Sequence, residues 1–474
     1  MTRQILVNAF DMNTPTHLVA GTWRHPDSQA WRYKDLRYWT DLAKTLERGL
    51  FDGLFIADVL GVYDVYGGTP GAALRGGVQV PVNDPMMLVS GMASVTEHLG
   101  FGITASTSFE HPYTFARRMS TLDHLTNGRV GWNIVTSYLD SGARNIGLAT
   151  QELHKKRYDI ADEYLEVLYK LWEGSWEDDA VVRDATRGIY ADDTKVHPIN
   201  HEGEFFKVPG IHLAEPSPQR TPFLFQAGTS DRGKDFAAKH AEAIFAVGPT
   251  AEILKAQIAD VRARARAVGR DPYDIKVFSG YTVVTAETDR EAIAKHDLYR
   301  SYVDVEGALA LWSGWLGYDL SVHDLDDPLN IVPNNAIQST VETFGKGDWR
   351  VRDLIDRLAL GDGGPVAVGS PATVADAIQE WLEETDADGL NLGHVVTPAS
   401  YEDFADLVVP ELQRRGVYRT SYEEGTLRHK LFGRGDRLAS THPGARFRDL
   451  AGTGTVPSSL VDDASPIDEL VRES

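Results

Sequence analysis

The chain has 474 residues, 42% of them hydrophobic, enough for one large α/β domain with insertions or for two to three smaller ones. Its 69 acidic and 47 basic residues leave a net charge of −22, which disfavours nucleic acid and anionic membranes as partners. There is no cysteine, so disulfides and thiolate chemistry are excluded. With no signal-peptide pattern and no run of ~18 apolar residues, a cytoplasmic location is expected.

Short apolar runs alternate with amphipathic stretches along the chain. The predicted elements are strand 4–10, helix 35–48, strand 53–58, helix 85–98, strand 99–107, helix 113–125, strand 129–137 and helix 157–172. Strand 222–228, helix 231–239, strand 242–247, helix 251–268, strand 275–285 and helix 289–302 follow. Helix 373–384, strand 389–396 and helix 401–414 complete the series. Eight strands with intervening helices predict an α/β fold of the (β/α)8 TIM-barrel type, with a doubly wound sheet as the rival. The barrel domain is expected over residues 1–420, with insertions at about 174–220 and 304–365, after the fourth and seventh βα units. Insertions this long usually cover a site or mediate assembly, and both are expected over one mouth of the barrel. Residues 421–474 read as a C-terminal extension, mobile or wrapped on a neighbouring subunit beyond Gly452.

Barrel sites lie at the C-terminal ends of strands. The fourth predicted strand ends Asn133-Ile-Val-Thr-Ser137, polar where a buried parallel strand should be apolar. A strand end capped by hydroxyls that opens a loop explains the same residues. Thr104 and Ser106 close the third strand, and Asp58, the best-placed acid, follows the second. Phe10, Phe55, Phe245 and Val247 sit at other strand ends and fit either barrel packing or an apolar substrate wall. Gly228, Thr229 and Ser230 lie between a strand and a helix, where backbone N–H groups at a helix N-terminus can bind phosphate. An ordinary N-cap by Thr229 or Ser230 is compatible with that. His154 and Tyr158, four apart, share a helix face; spacing alone favours a surface His and a packed Tyr. His17, Trp23, Arg24 and His25 read as loop scaffold. Paired glycosidase carboxylates, a Rossmann fingerprint and a P-loop are all missing. No metal-ligating His/Asp/Glu cluster is apparent either, so no metal is expected.

Several segments together resemble the bacterial-luciferase-like, two-component FMN-dependent monooxygenases, in the branch of nitrilotriacetate and dibenzothiophene-sulfone monooxygenases. They are His17-Leu-Val-Ala-Gly-Thr-Trp-Arg-His25, Thr45-Leu-Glu-Arg-Gly-Leu-Phe-Asp-Gly-Leu-Phe-Ile-Ala-Asp58, Trp132-Asn-Ile-Val-Thr-Ser137, His154-Lys-Lys-Arg-Tyr-Asp-Ile-Ala-Asp-Glu163 and Gln226-Ala-Gly-Thr-Ser230. The resemblance implies an insertion-bearing TIM barrel that uses reduced FMN, a diffusible cosubstrate supplied by a separate NAD(P)H:flavin reductase, and dioxygen. It implies flavin contacts at Asp58, Thr104 or Ser106, Asn133, His154, Tyr158 and Ser230, with Gly228 and Thr229 in the phosphate turn. His154 and Tyr158 become the candidate catalytic pair, on the phosphate–ribityl side or beside the oxygenated flavin. Phe10, Phe55, Phe245 and Val247 would then shield the reaction from water and meet an apolar, aromatic substrate such as a sulfone or haloaromatic. Arg24, Arg75 and Arg144 form no obvious cluster for a polycarboxylate. The Gly-rich loop 59–83, with Tyr63 and Tyr66, is expected to tune selectivity. A homodimer or homotetramer is expected. The competing readings are a deazaflavin-dependent oxidoreductase of the same superfamily, a TIM-barrel hydrolase and a non-catalytic flavin-binding protein.

Overall fold

The computed structural model describes residues 4–228, 230–331, 334–337, 340–341, 349–358, 360–361 and 363–452. Eight parallel strands close on themselves: β1 (Leu6–Met12), β2 (Gly53–Ala57), β3 (Gly100–Ser106), β4 (Val130–Val135), β5 (Phe223–Gln226), β6 (Ala243–Ala246), β7 (Lys276–Thr285) and β8 (Gly389–Gly393). Each pairs with its neighbour in chain order, and β8 returns to β1 through Leu6–Gly389 to Phe10–Gly393. The barrel is therefore closed, and the doubly wound alternative falls. A further strand, Val366–Gly369, pairs with Thr282–Thr285 of the long β7 and was not predicted.

Side-chain alternation separates two cores. Val7, Ala9, Leu54 and Ile56 pack outward with the helices, whereas Leu6, Phe10, Phe55, Phe223, Phe225 and Phe278 form the inner cluster. So many inward phenylalanines need facing positions without side chains. A Cβ on Gly131 would lie 2.7 Å from the Phe225 ring.

The predicted helices form with shifted ends. Helix 86–93 is shorter than expected because Thr96 and Glu97 turn toward β3, and the helix expected at 157–172 starts three residues earlier, at His154. That shift places His154 on the first turn. The segment read as 401–414 is interrupted by a π-helical turn at Phe404–Val408.

The two insertions do not share a mouth. Residues 174–220 carry two small hairpins, Val181–Asp184 with Ile189–Ala191 and His201–Glu202 with Lys207–Val208. They pack on the outside of the barrel: Phe205 and Phe206 N–H groups donate to the Glu163 carboxylate, and Gln219 Nε2 donates to Asp123 Oδ1 at 2.7 Å. Only the later insertion, with helices Val305–Leu316 and Val351–Leu358, reaches the C-terminal mouth, where Trp315 Nε1 donates to Tyr63 Oη at 3.3 Å. Half-buried Glu163 and buried Asp123 on the outer helices offer acceptors that Phe205, Phe206 and Gln219 of this insertion satisfy.

The tail closes the opposite end. Leu427 and Leu431 of the helix Leu427–Phe432 join the inner aromatic cluster. Arg428, 1% exposed, makes a two-pronged pair with Glu242 at 2.6 and 2.8 Å. Residues beyond 452 lie outside the described set, so the expectation for them has no structural counterpart. Among the described residues no helix is long and apolar enough to cross a membrane.

Candidate active site

A cavity of about 220 Å³ opens at the C-terminal ends of β2, β4 and β5. Asp58, Ser137, His154, Arg157, Tyr158 and Ser230 line it, with Ala336 and Ile337 of the later insertion as cover.

One end is built for an anion. Ser230 caps the helix Asp231–His240, its hydroxyl accepting the Gly233 N–H at 3.1 Å, and it lies 3.3 Å from His154 Nε2. Gly228 and Gly233 leave room for the Tyr158 hydroxyl; a Cβ on Gly233 would meet it at 2.9 Å. The Tyr158 ring meets His154 edge-on at 5.1 Å and carries the Arg232 guanidinium 5.5 Å from its centroid. Arg157 completes the group. It is 2% exposed, its Nη2 donates to the Asn335 carbonyl at 3.3 Å, and its Nε and Nη1 have no hydrogen-bond partner. A buried guanidinium with free donors calls for an anion. Burial lowers its pKa to about 10, which leaves it charged at neutral pH. Burial, and then the Arg157 and Arg232 charges, lower the His154 pKa. Burial raises that of Tyr158.

The other end is lined by the exits of β2 and β4, Asp58 with Val59 and residues 134–138, and Asn133 directly precedes that lining. Asn133 is buried, donates Nδ2 to Thr104 Oγ1 at 2.9 Å, and leaves its Oδ1 without a partner. Ser106 receives the Ser137 hydroxyl at 2.8 Å. Thr104 and Ser106 thus brace β4 and, like Asn133, lie outside the residues that line this cavity. Ser137 sits at a positive φ of 57°, a strained backbone that turns residues 136–138 into the cavity. Burial, and then the Asp84 charge, push the Asp58 pKa up to about 7. Thr229 lies outside the described residues.

Beside the cavity stands an aromatic wall. Phe10 lies 5.6 Å from Phe55 and 4.9 Å from Phe245, ring centre to ring centre, and Trp315 packs against the same cluster. Val247 is half-buried on the β6 exit. Tyr63 is buried and exchanges a 2.6 Å hydrogen bond with Tyr138. The arginines noted in the mouth loops are engaged elsewhere: Arg75 with Glu306, Arg144 with Asp64 and Arg24 with the Gly21 carbonyl.

One cluster contradicts the expectation of no metal-ligating set. Asp11, His17 and His394, from the end of β1, the loop after it and the end of β8, bring one donor atom each within 4.8 Å of the others. Nothing in the local sequence joins positions 11, 17 and 394; barrel closure does.

Residues 12–389 match the family described as luciferase-like monooxygenase. The chain belongs to the luciferase-like monooxygenases. It is 52% identical to dimethyl-sulfide monooxygenase of Hyphomicrobium sulfonivorans, over 99% of this chain and 100% of that protein. It is 51% identical to long-chain alkane monooxygenase of Geobacillus thermodenitrificans, over 95% of this chain and 99% of that one. A crystal structure of riboflavin lyase with modified FMN and riboflavin superposes with a TM-score of 0.89 at 39% identity, covering 94% of this chain and 100% of that one. Dibenzothiophene-sulfone and nitrilotriacetate monooxygenases are also relatives, as the sequence motifs implied. The luciferase-like monooxygenase is therefore a flavin-dependent enzyme of the two-component type, working on reduced flavin. Its cavity fits that group: Arg157, which lines it, is a buried guanidinium with unpaired donors suited to a phosphate. Arg157 was missed in the sequence because one arginine on an amphipathic helix reads as a surface charge.

Proposed function

We propose that the enzyme takes reduced FMN as a diffusible cosubstrate from a separate NAD(P)H:flavin reductase and inserts one oxygen atom of dioxygen into a small, uncharged, apolar molecule. The second oxygen atom leaves as water, and the two electrons come from the flavin. The observation that carries this reading is the buried Arg157, which lines the same cavity as the Ser230 cap and has two donors without a partner. Arg157, Ser230 and His154 hold the phosphate, Tyr158 supports the ribityl side, and Asn133 and Asp58 face the ring. Among the sequence candidates, His154 and Tyr158 remain the proposed catalytic pair, with Gly228 keeping the turn open above the Tyr158 hydroxyl.

Phe10, Phe55, Phe245 and Trp315 supply a water-excluding wall. With Arg24, Arg75 and Arg144 otherwise engaged, an anionic substrate finds no convergent cation there. The reading is an apolar organosulfur compound or alkane, in keeping with the named substrates of the relatives above 50% identity, and it includes the aromatic sulfones and haloaromatics suggested by the sequence. Oxygen uptake tests it. With NADH, FMN and a flavin reductase, dimethyl sulfide, a medium-chain alkane and dibenzothiophene sulfone are added in turn. Substrate-dependent formation of an oxygenated product supports the reading; NADH oxidation that only yields peroxide with all three rejects the substrate class.

A further inference from the structure

The Asp11–His17–His394 cluster lies outside the residues that line the cavity, behind Phe10 of the aromatic wall, and none of its members is assigned a flavin contact. Asp11 is 3% exposed and His17 is 4% exposed. Asp11 Oδ1 accepts the Met12 N–H at 2.7 Å and the His394 Nε2–H at 3.0 Å, but its Oδ2 has no partner. His17 Nδ1 and His394 Nδ1 are likewise buried and unpartnered. Three polar residues from three segments thus converge, and two of the orphaned atoms, Asp11 Oδ2 and His17 Nδ1, belong to residues that face His394 Nε2 or its partner; each costs free energy when buried unpaired. Phe10 meets the His17 ring at 4.4 Å, Tyr401 meets His394 at 5.4 Å, and the Tyr401 hydroxyl donates to the Phe10 carbonyl. Among the described residues Asp11 pairs with His394.

We propose that Asp11, His17 and His394 form a divalent-metal site whose preferred occupant is zinc. Two imidazoles and one carboxylate are a borderline-hard set suited to Zn²⁺. Bonds of about 2.0–2.1 Å at tetrahedral angles put ligand atoms about 3.3 Å apart, close to the 3.0 Å already separating Asp11 Oδ1 from His394 Nε2. Binding through that nitrogen replaces the proton it donates to Asp11, so one proton is released as the metal enters. The ion neutralises the buried carboxylate and ties the loop at His17 to the adjoining ends of β1 and β8.

Untagged, EDTA-stripped full-length protein titrated with Co²⁺ tests the site. The expected result is saturable visible d–d absorption at one ion per chain, displaced by Zn²⁺. Asp11→Asn and His394→Ala, each with native circular dichroism, should bind at least roughly tenfold more weakly. Absence of d–d absorption in the wild type, or unchanged binding in both variants, overturns the proposal. The wild type gives a second reading that needs no variant: Zn²⁺ at micromolar concentration should raise Tm where Mg²⁺ does not, because a ligand of the native state stabilises it. An unchanged Tm with Zn²⁺ also overturns it.

Discussion

Ser230 and His154, 76 residues apart in sequence, meet with Oγ 3.3 Å from Nε2, each at the first turn of its own helix. The contact brings two helix N-termini to one point, and both ends favour negative charge. Arg157, one turn after His154, adds a full positive charge to the same point. This convergence ties the β5 turn to the helix after β4 and forms the proposed phosphate end of the flavin site.

Ser230→Ala removes both the helix cap and the proposed phosphate contact. Reduced-FMN affinity should fall by ~1–3 kcal/mol, and unfolding free energy by about 1 kcal/mol. Parallel flavin titration and urea denaturation separate the two effects. Loss of stability with unchanged affinity would leave Ser230 as a cap alone.

His154→Ala and Tyr158→Phe should lower oxygenation turnover with native circular dichroism retained. The Tyr158 hydroxyl sits against Gly228 and Gly233, so its removal changes the site without changing ring packing. Wild-type product formation by both variants would remove them from the catalytic assignment.

Asp58 governs a pH effect. Its folded pKa, about 7, stands above the unfolded value near 4, so folding favours its protonated form. The stability this contributes is complete below about pH 4 and is lost as pH rises through about 7. The Tm of Asp58→Asn minus that of the wild type should therefore increase across pH 4–7 and level off above it. A flat difference would contradict the raised pKa.

The tail is part of the barrel. Glu242→Ala strands the fully buried Arg428 beneath β6 and should cost about 3–5 kcal/mol in unfolding free energy. Chemical denaturation measures it; a change below about 1 kcal/mol would show that the Thr221 and Asp436 carbonyls satisfy Arg428 without its carboxylate.

Phe245→Ala removes one face of the aromatic wall. Loss of about 1.5–3 kcal/mol of apolar contact predicts a fall in kcat/KM of roughly 10- to 150-fold for the substrate that is turned over, with flavin binding unchanged. Unaltered kcat/KM would place the substrate elsewhere.

The eight barrel strands were legible in the sequence because each buried run is short, apolar and bounded by turn residues. The polar strand end at Asn133 and the cap at Ser230 were legible too, since both break a local rule. Three things were not. Arg157 is buried only because Asn335, 178 residues later, folds over it. Thr104 and Ser106 accept hydrogen bonds from Asn133 and Ser137 across the β3–β4 pair, a relation set by register. The outer position of residues 174–220 depends on acceptors such as Glu163 and Asp123, whose orientation no periodicity reveals.

The central claim is that a phosphate-bearing reduced flavin occupies the Arg157–Ser230 end of the cavity. Anaerobic titration with reduced FMN and, separately, reduced riboflavin tests it most directly, in the wild type and in Arg157→Ala. The account predicts saturable 1:1 binding, tighter for FMN, with the preference cut by about 10- to 150-fold in the variant, as expected for charged hydrogen bonds of about 1.5–3 kcal/mol. Equal affinity for the two flavins in the wild type, or no saturable binding of either, would contradict it.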